Sequence, residues 1–195
     1  MRDCIDIEIW QRFKNGEYQA LSQIYKYYVN ILFDYGVKIC PDDALVKDSI
    51  QEVFIKLIDK RTQLVIGENI HVYIYKSLRN EILEALRSDR RKKNISGQII
   101  PEDTHVSSIE QSIVRSEEEI QTQQLIDKAI GQLTDYQREA IFLRYNQQFG
   151  YEEIAEMLGI DVASARTLVY RALKKVKEHL SVKTTILFHL LVGCR

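Results

Sequence analysis

The chain has 195 residues, 45% of them apolar, with only eight Gly and two Pro. It is long enough for one domain or two small ones with a core, and so few turn residues argue against a strand-rich fold. A formal net charge of −1 excludes a global field that would draw the whole molecule onto nucleic acid.

The opening MRDCIDIEIW is acidic and lacks the apolar core of a secretory signal. From Glu17 to Asp59 the pattern is helical, with Leu21, Ile24, Tyr25, Tyr28, Leu32 and Tyr35 at three- and four-residue steps. Pro41-Asp42-Asp43 interrupts it, and either aspartate can cap the helix that follows. That helix gathers Ile50, Val53, Phe54, Leu57 and Ile58 on one face and Asp48, Gln51, Glu52 and Ile55 on the other. An Ile among acidic and amide groups marks either a partner surface or a solvated face with one stray apolar residue.

Arg61 to Asn69, with Gly67 inside, breaks the pattern and reads as a loop. A long helix is expected from about Ile70 to Arg91, with Ile74, Leu78, Ile82, Ala85 and Leu86 inward. Lys76, Arg79, Asn80, Arg87, Arg90 and Arg91 line the other side, interrupted by Leu83. Cations that track phosphates beside aromatics on which bases stack suit separated strands. Tyr73 and Tyr75 are candidates for that stacking or for the core.

Residues 94–116 have weak periodicity, with Gly97, Pro101 and several Ser and Thr, and read as a linker. The charge alternates around it. LRSDRRKK at 86–93 has five cations and one anion, residues 102–119 hold six anions against Arg115, and 166–183 is basic again. This implies two cationic modules separated by an acidic connector.

The second module spans roughly 119–183. Thr134-Asp135-Tyr136-Gln137 is a capping-box pattern that opens a helix carrying Ala140, Ile141, Leu143 and Tyr145. The stretch YEEIAEMLGIDVASARTLVYRALKKVKE, Tyr151 to Glu178, has the spacing of a helix-turn-helix. Ala155 is small where two helices cross, and Gly159 sits where the turn needs a backbone costly for other residues. Ile154, Leu158, Ile160, Ala165 and Leu168 fall at positions that must be buried, and Asp161 can cap the second helix. That helix turns Ala163, Ser164, Arg166, Thr167, Tyr170, Arg171 and Lys174 outward. A helix fits the major groove, where its early residues reach base edges; Arg166 and Thr167 are placed for bases, and Arg171, Lys174, Lys175 and Lys177 for phosphates.

Taken together, these segments resemble the extracytoplasmic-function sigma factors of bacterial RNA polymerase. DSIQEVFIKL at Asp48 to Leu57 is similar to the D-x-x-Q-E-x-F segment of sigma region two that docks on core polymerase. YIYKSLRNEILEALR at Tyr73 to Arg87 is similar to the region-two helix that opens and reads the −10 element. LTDYQREAIFLRYNQQFGYEEIAEMLGI followed by SARTLVYRAL is similar to region four, which reads the −35 element. This sequence has Tyr73 where Trp is common, Glu84 for Asp, Gln148 and Gly150 for a Gly and a Ser, and Ser164-Ala165 for Thr-Val.

The resemblance implies an all-α protein of two small helical domains joined by a flexible linker. Region two would occupy residues 1–93, the linker 94–118 and region four 119–183, with an apolar tail over 184–195. It implies a factor that directs promoter-specific initiation, with the loop from Arg61 to His71 holding a flipped non-template base. Asp48, Gln51, Glu52 and Ile55 would bind core polymerase. Tyr73, Lys76, Arg79, Asn80, Arg87, Arg90 and Arg91 would engage the −10 element. Ala163, Ser164, Arg166, Thr167, Tyr170, Arg171 and Lys174 would read −35. Core RNA polymerase and promoter DNA are the implied partners, and an anti-sigma factor is a further one. A stand-alone helix-turn-helix regulator is the alternative reading, but it gives the first module no task.

No cofactor or metal site is expected, and the protein is not expected to be an enzyme. Cys4, Cys40 and Cys194 lack metal-ligand spacing, and His71, His105, His179 and His189 have no nucleophile or carboxylate pair beside them. Thr184 to Cys194 is apolar but 11 residues long, short of the roughly 20 that span a bilayer. It is read either as packing on the second module or as a regulator-binding segment, with no membrane insertion. The expected location is the cytoplasm.

Overall fold

The computed structural model describes residues 7–64, 70–95, 126 and 128–179. Residues 96–118 of the expected linker, part of the loop before Ile70 and the apolar tail lie outside the described residues. The chain divides into two compact units, residues 1–104 and 105–195. Among the described residues every regular element is helical.

The first unit contains α1 (Ile7–Lys14), α2 (Tyr18–Ile39), α3 (Asp43–Asp59), a 3₁₀ turn at Arg61–Gln63 and α4 (Ile70–Ile95). The sequence reading leaves α1 unassigned. Trp10 and Phe13, three residues apart, are both buried, and Trp10 lies 6.0 Å from the Tyr28 ring. Gly16, at φ +90°, makes the corner into α2, a conformation available to few other residues. On α2 the buried stripe is Ala20, Ile24, Tyr28, Leu32, Tyr35 and Gly36. Leu21 is only half-buried and Tyr25 is exposed, although its ring meets Phe54 edge-on at 4.9 Å.

Gly36 sets how closely α2 approaches its neighbours, because a Cβ there would lie 2.5 Å from Val46 Cγ1. Asp42 is the cap of α3, accepting from the backbone of Ala44 at 3.0 Å and Leu45 at 3.1 Å. Such a cap contributes about 1 kcal/mol. Val53, Phe54 and Leu57 are buried beneath it. Each large apolar side chain that is fully buried contributes about 1.5–3 kcal/mol, so Leu32, Leu57, Ile74, Leu78 and Ile82, all at or below 1% exposure, hold α2, α3 and α4 together.

The second unit begins with helical residues at 126 and 128–131. It continues as α5 (Asp135–Ile141), a π-helical turn at Phe142–Asn146, α6 (Tyr151–Leu158) and α7 (Val162–His179). The capping box expected at Thr134 forms: its hydroxyl accepts from Gln137 N–H at 3.3 Å, and the Gln137 side chain accepts from Thr134 N–H at 3.1 Å. Ile126, Ala129, Leu133, Ile141, Ala172 and Val176 form one buried cluster that ties the start of the unit to the second half of α7.

Candidate nucleic-acid interface

The helix-turn-helix is built as its spacing predicts. Gly159 takes the left-handed conformation at φ 68°, and Ile160 N–H returns to the Ala155 carbonyl at 3.0 Å. Ala155, where α6 and α7 cross, is 4% exposed. Ile154, Leu158 and Ala165 are buried, whereas Ile160 and Leu168 are half-buried. Asp161 caps α7. It accepts from Ser164 N–H at 2.8 Å and from the Ser164 hydroxyl at 2.6 Å. These bonds, the hydroxyl's first, hold the Asp161 carboxyl below its usual range.

On α7, Ala165, Val169, Ala172 and Val176 are buried. Ala163, Ser164, Arg166, Thr167, Tyr170, Arg171 and Lys174 are all exposed. The structure thus places every residue expected to read −35 on the open face. It also fixes two hydroxyls. Ser164 donates to Asp161, and Thr167 donates to the Ala163 carbonyl at 2.9 Å. Each uses its single donor inside the protein and keeps lone pairs for anything outside. Arg166 leans toward α6, with its guanidinium 5.4 Å from the Tyr151 ring centre and 3.6 Å from Glu152.

The approach to α6 departs from regular helix. Gln147 N–H reaches back five residues to Phe142 O at 3.1 Å, and Phe149 N–H reaches Leu143 O at 3.0 Å. Between them Gln148 has φ +56°. The Gln148 that stands where a Gly is usual is therefore held in the conformation a Gly takes at least cost. Gly150 has no side chain to cap α6, so only the return bond forms, with Glu153 accepting from Gly150 N–H at 2.6 Å.

In the first unit, α4 presents Tyr73, Asn80, Arg87, Arg90 and Arg91 to solvent. Lys76 is half-buried. Arg79 differs from the outward row expected of it: it is 7% exposed. It lies four residues after Tyr75 and seven after Val72, which share its flank and are buried. Tyr75 belongs to the core, 3% exposed and 5.1 Å from the Tyr35 ring, whereas Tyr73 is 37% exposed and available to stack.

Two contacts fix the margins of the loop before α4. Lys14 Nζ donates to the Leu64 carbonyl at 2.7 Å, and the Tyr28 hydroxyl meets His71 Nδ1 at 2.5 Å. The start of α4 is thereby tied to α2, and the end of the 3₁₀ turn to α1. Sequence reasoning gave Lys14 no role, since no pattern links residues 50 positions apart.

On α3, Asp48, Gln51, Glu52 and Ile55 are all exposed, and Ile55 keeps half its surface open. Lys56 reaches Glu81 at 2.5 Å, joining α3 to α4 beside this face, and that hydrogen bond raises the Lys56 pKa. Among the described residues no group of three His, Cys, Asp or Glu converges as a metal site, and no helix is long and apolar enough to cross a membrane.

The two units match two known families. Sigma-70 region 2 matches residues 24–92, which take in α3 and nearly all of α4. Sigma-70, region 4 matches residues 123–176, which take in the helix-turn-helix. The chain is 23% identical over 163 residues to the ECF RNA polymerase sigma factor SigM of Bacillus subtilis (strain 168), covering 81% of this chain and 93% of SigM. It is 29% identical over 140 residues to the RNA polymerase sigma factor SigZ of the same organism, covering 70% and 73%. The sigma factor RpoE, solved in complex with the anti-sigma factor NepR from Bartonella quintana, shares the fold at a TM-score of 0.64 and 24% identity, over 83% of this chain and 96% of that one. The region 2 match supplies the task that a stand-alone helix-turn-helix regulator would leave without an owner. With both regions present in that order and these relatives beside it, the chain belongs to the extracytoplasmic-function sigma factors, which direct the initiation of transcription by RNA polymerase.

Proposed function

We propose that α3 docks on core RNA polymerase through Asp48, Gln51, Glu52 and Ile55, and that the open face of α7 reads the −35 element. Tyr73, Lys76, Asn80, Arg87, Arg90 and Arg91 of α4 engage the −10 DNA after strand separation. Arg79 supports this surface from inside the unit. Tyr73 supplies an aromatic face for an unstacked base, and the arginines follow the phosphates. The −10 and −35 contacts are individually weak and gain from effective concentration when polymerase holds both domains. This agrees with a net charge of −1, which gives the free chain little attraction for duplex DNA.

Residues 1–93 and 119–183 are the two working domains, with 94–118 as their connector and 184–195 as an apolar tail. An anti-sigma partner is part of the proposal, supported by RpoE having been solved with NepR. The protein works in the cytoplasm, where polymerase and promoter are, and carries no catalytic residues of its own.

The observation that carries the reading is α7, where seven residues expected to face DNA are all open and the opposite stripe is buried. The test is reconstitution. Purified core enzyme with this chain should start transcription at defined sites on a genomic library, and Ile55→Glu should weaken capture of core about tenfold without lowering the melting point. Absence of promoter-specific starts would sink the proposal.

A further inference from the structure

Arg144, Tyr151 and Arg166 form a cluster in the second unit. Arg144, in the π-helical turn, sets its guanidinium 4.8 Å from the centre of the Tyr151 ring and donates from Nη1 to the Phe149 carbonyl at 2.9 Å. Arg166, on α7, sets its guanidinium 5.4 Å from the centre of the same ring. Tyr151 is half-buried at the first position of α6, and Arg144 is half-buried behind it. One aromatic ring therefore couples a backbone-anchored arginine to an arginine on the groove face.

Arg166 is long, exposed and rich in rotamers, and a freely moving side chain must lose that freedom before it can hold a base edge. A cation against an aromatic face at an exposed site shifts an equilibrium about two- to fivefold. The Glu152 carboxylate at 3.6 Å contributes less, because both partners are well exposed.

We propose that Tyr151 is a positioning residue for Arg166. It keeps the guanidinium at the groove face, so discrimination at one −35 base pair depends on a side chain that does not touch DNA. Arg144 holds the ring in place through its own bond to the Phe149 carbonyl. This rests on the reading of α7 as the −35 helix.

The test uses the full chain with core polymerase and a promoter set in which each −35 base pair is replaced in turn. The ratio of initiation from the original to the replaced promoter gives the discrimination at each position. Arg166→Ala identifies the position Arg166 reads, by flattening its ratio. Tyr151→Leu keeps apolar bulk and removes the π face; it should lower the ratio at that same position about two- to fivefold and leave the other positions unchanged. Tyr151→Phe keeps the ring and should behave as the original. Tyr151→Met, whose flexible side chain fills the same space, replaces Leu if the Leu variant melts below the assay temperature. An original ratio in the Leu or Met variant, or an equal fall at every position, overturns the proposal while leaving the −35 reading intact. If Arg166→Ala flattens no position, the base-reading role of Arg166 fails and this proposal with it.

Discussion

Helices α4 and α7 invite comparison, because both pair a buried stripe with a row of cations. On α7 the division is cleaner: the seven residues expected to read −35 are exposed, and Lys175 alone of the expected cations is half-buried, donating to the Gln132 carbonyl. On α4, Arg79 is buried and Lys76 half-buried. The difference lies in their partners. α4 packs against both α2, with 22 residues, and α3, with 17, which wrap its flanks over several turns. α7 is covered by shorter segments. Tyr151 and Glu152 of α6 approach it at Arg166, and Ile126, Ala129, Leu133 and Ile141 join it at Ala172 and Val176. A cation pattern marks an open face only when the segments covering that level are known.

Three measurements test this contrast. The largest effect is expected on α7. Arg166→Glu combined with Arg171→Glu should lower −35-dependent initiation about a hundredfold, since each arginine contact is worth about 1–3 kcal/mol. The melting point should change little, because both side chains are exposed and the contacts of Arg166 with Tyr151 and Glu152 are surface contacts. A fall in melting point of several degrees would show that α7 is not as open as described.

The second concerns α4. Arg79→Ala should destabilise the first unit by about 1–3 kcal/mol, by leaving its buried surroundings unsatisfied. Arg87→Ala, from the exposed row, should leave the denaturation midpoint where it was and act on promoter opening alone. Equal midpoints for the two variants would remove the distinction drawn here.

The smallest effects concern the two backbone corners around α6, and their signs are opposite. Gly159→Ala meets no atom within 4 Å, so its cost is the left-handed backbone alone, about 1–2 kcal/mol. Gln148→Gly relieves the same kind of strain at φ +56°. It should raise stability by less than about 1 kcal/mol, because glycine also loses more chain entropy on folding. Chemical denaturation of both variants checks the signs, and a loss at Gln148→Gly would mean that its side-chain contacts outweigh the strain.

Much of this architecture was legible in the sequence because it is local. Thr134 with Gln137, Asp42, Asp161 and Gly159 each act within four residues, so spacing alone reveals them. The open faces of α3 and α7 followed from helical periodicity. What escaped depends on packing between distant segments. Arg79 is buried by α4's neighbours, Lys14 finds the Leu64 carbonyl, and Tyr28 finds His71. Helix α1 went unread because eight residues hold only two core side chains, too few for a period to show. The π-helical turn left one trace, the Gln148 that replaces a Gly, but nothing local said that the position would keep a positive φ.

Cys40 closes α2, with its N–H returned to the Gly36 carbonyl at 2.9 Å and its side chain 2% exposed. Burial pushes the thiol pKa up, so little thiolate exists to react while the corner is shut. A maleimide or an oxidant then gains access only when the junction of α2 and α3 parts. With Cys4 and Cys194 replaced by Ser, the modification rate of the remaining thiol follows the population of the open junction when closing outruns modification. The first domain therefore contains its own reporter of breathing, readable with and without core polymerase present.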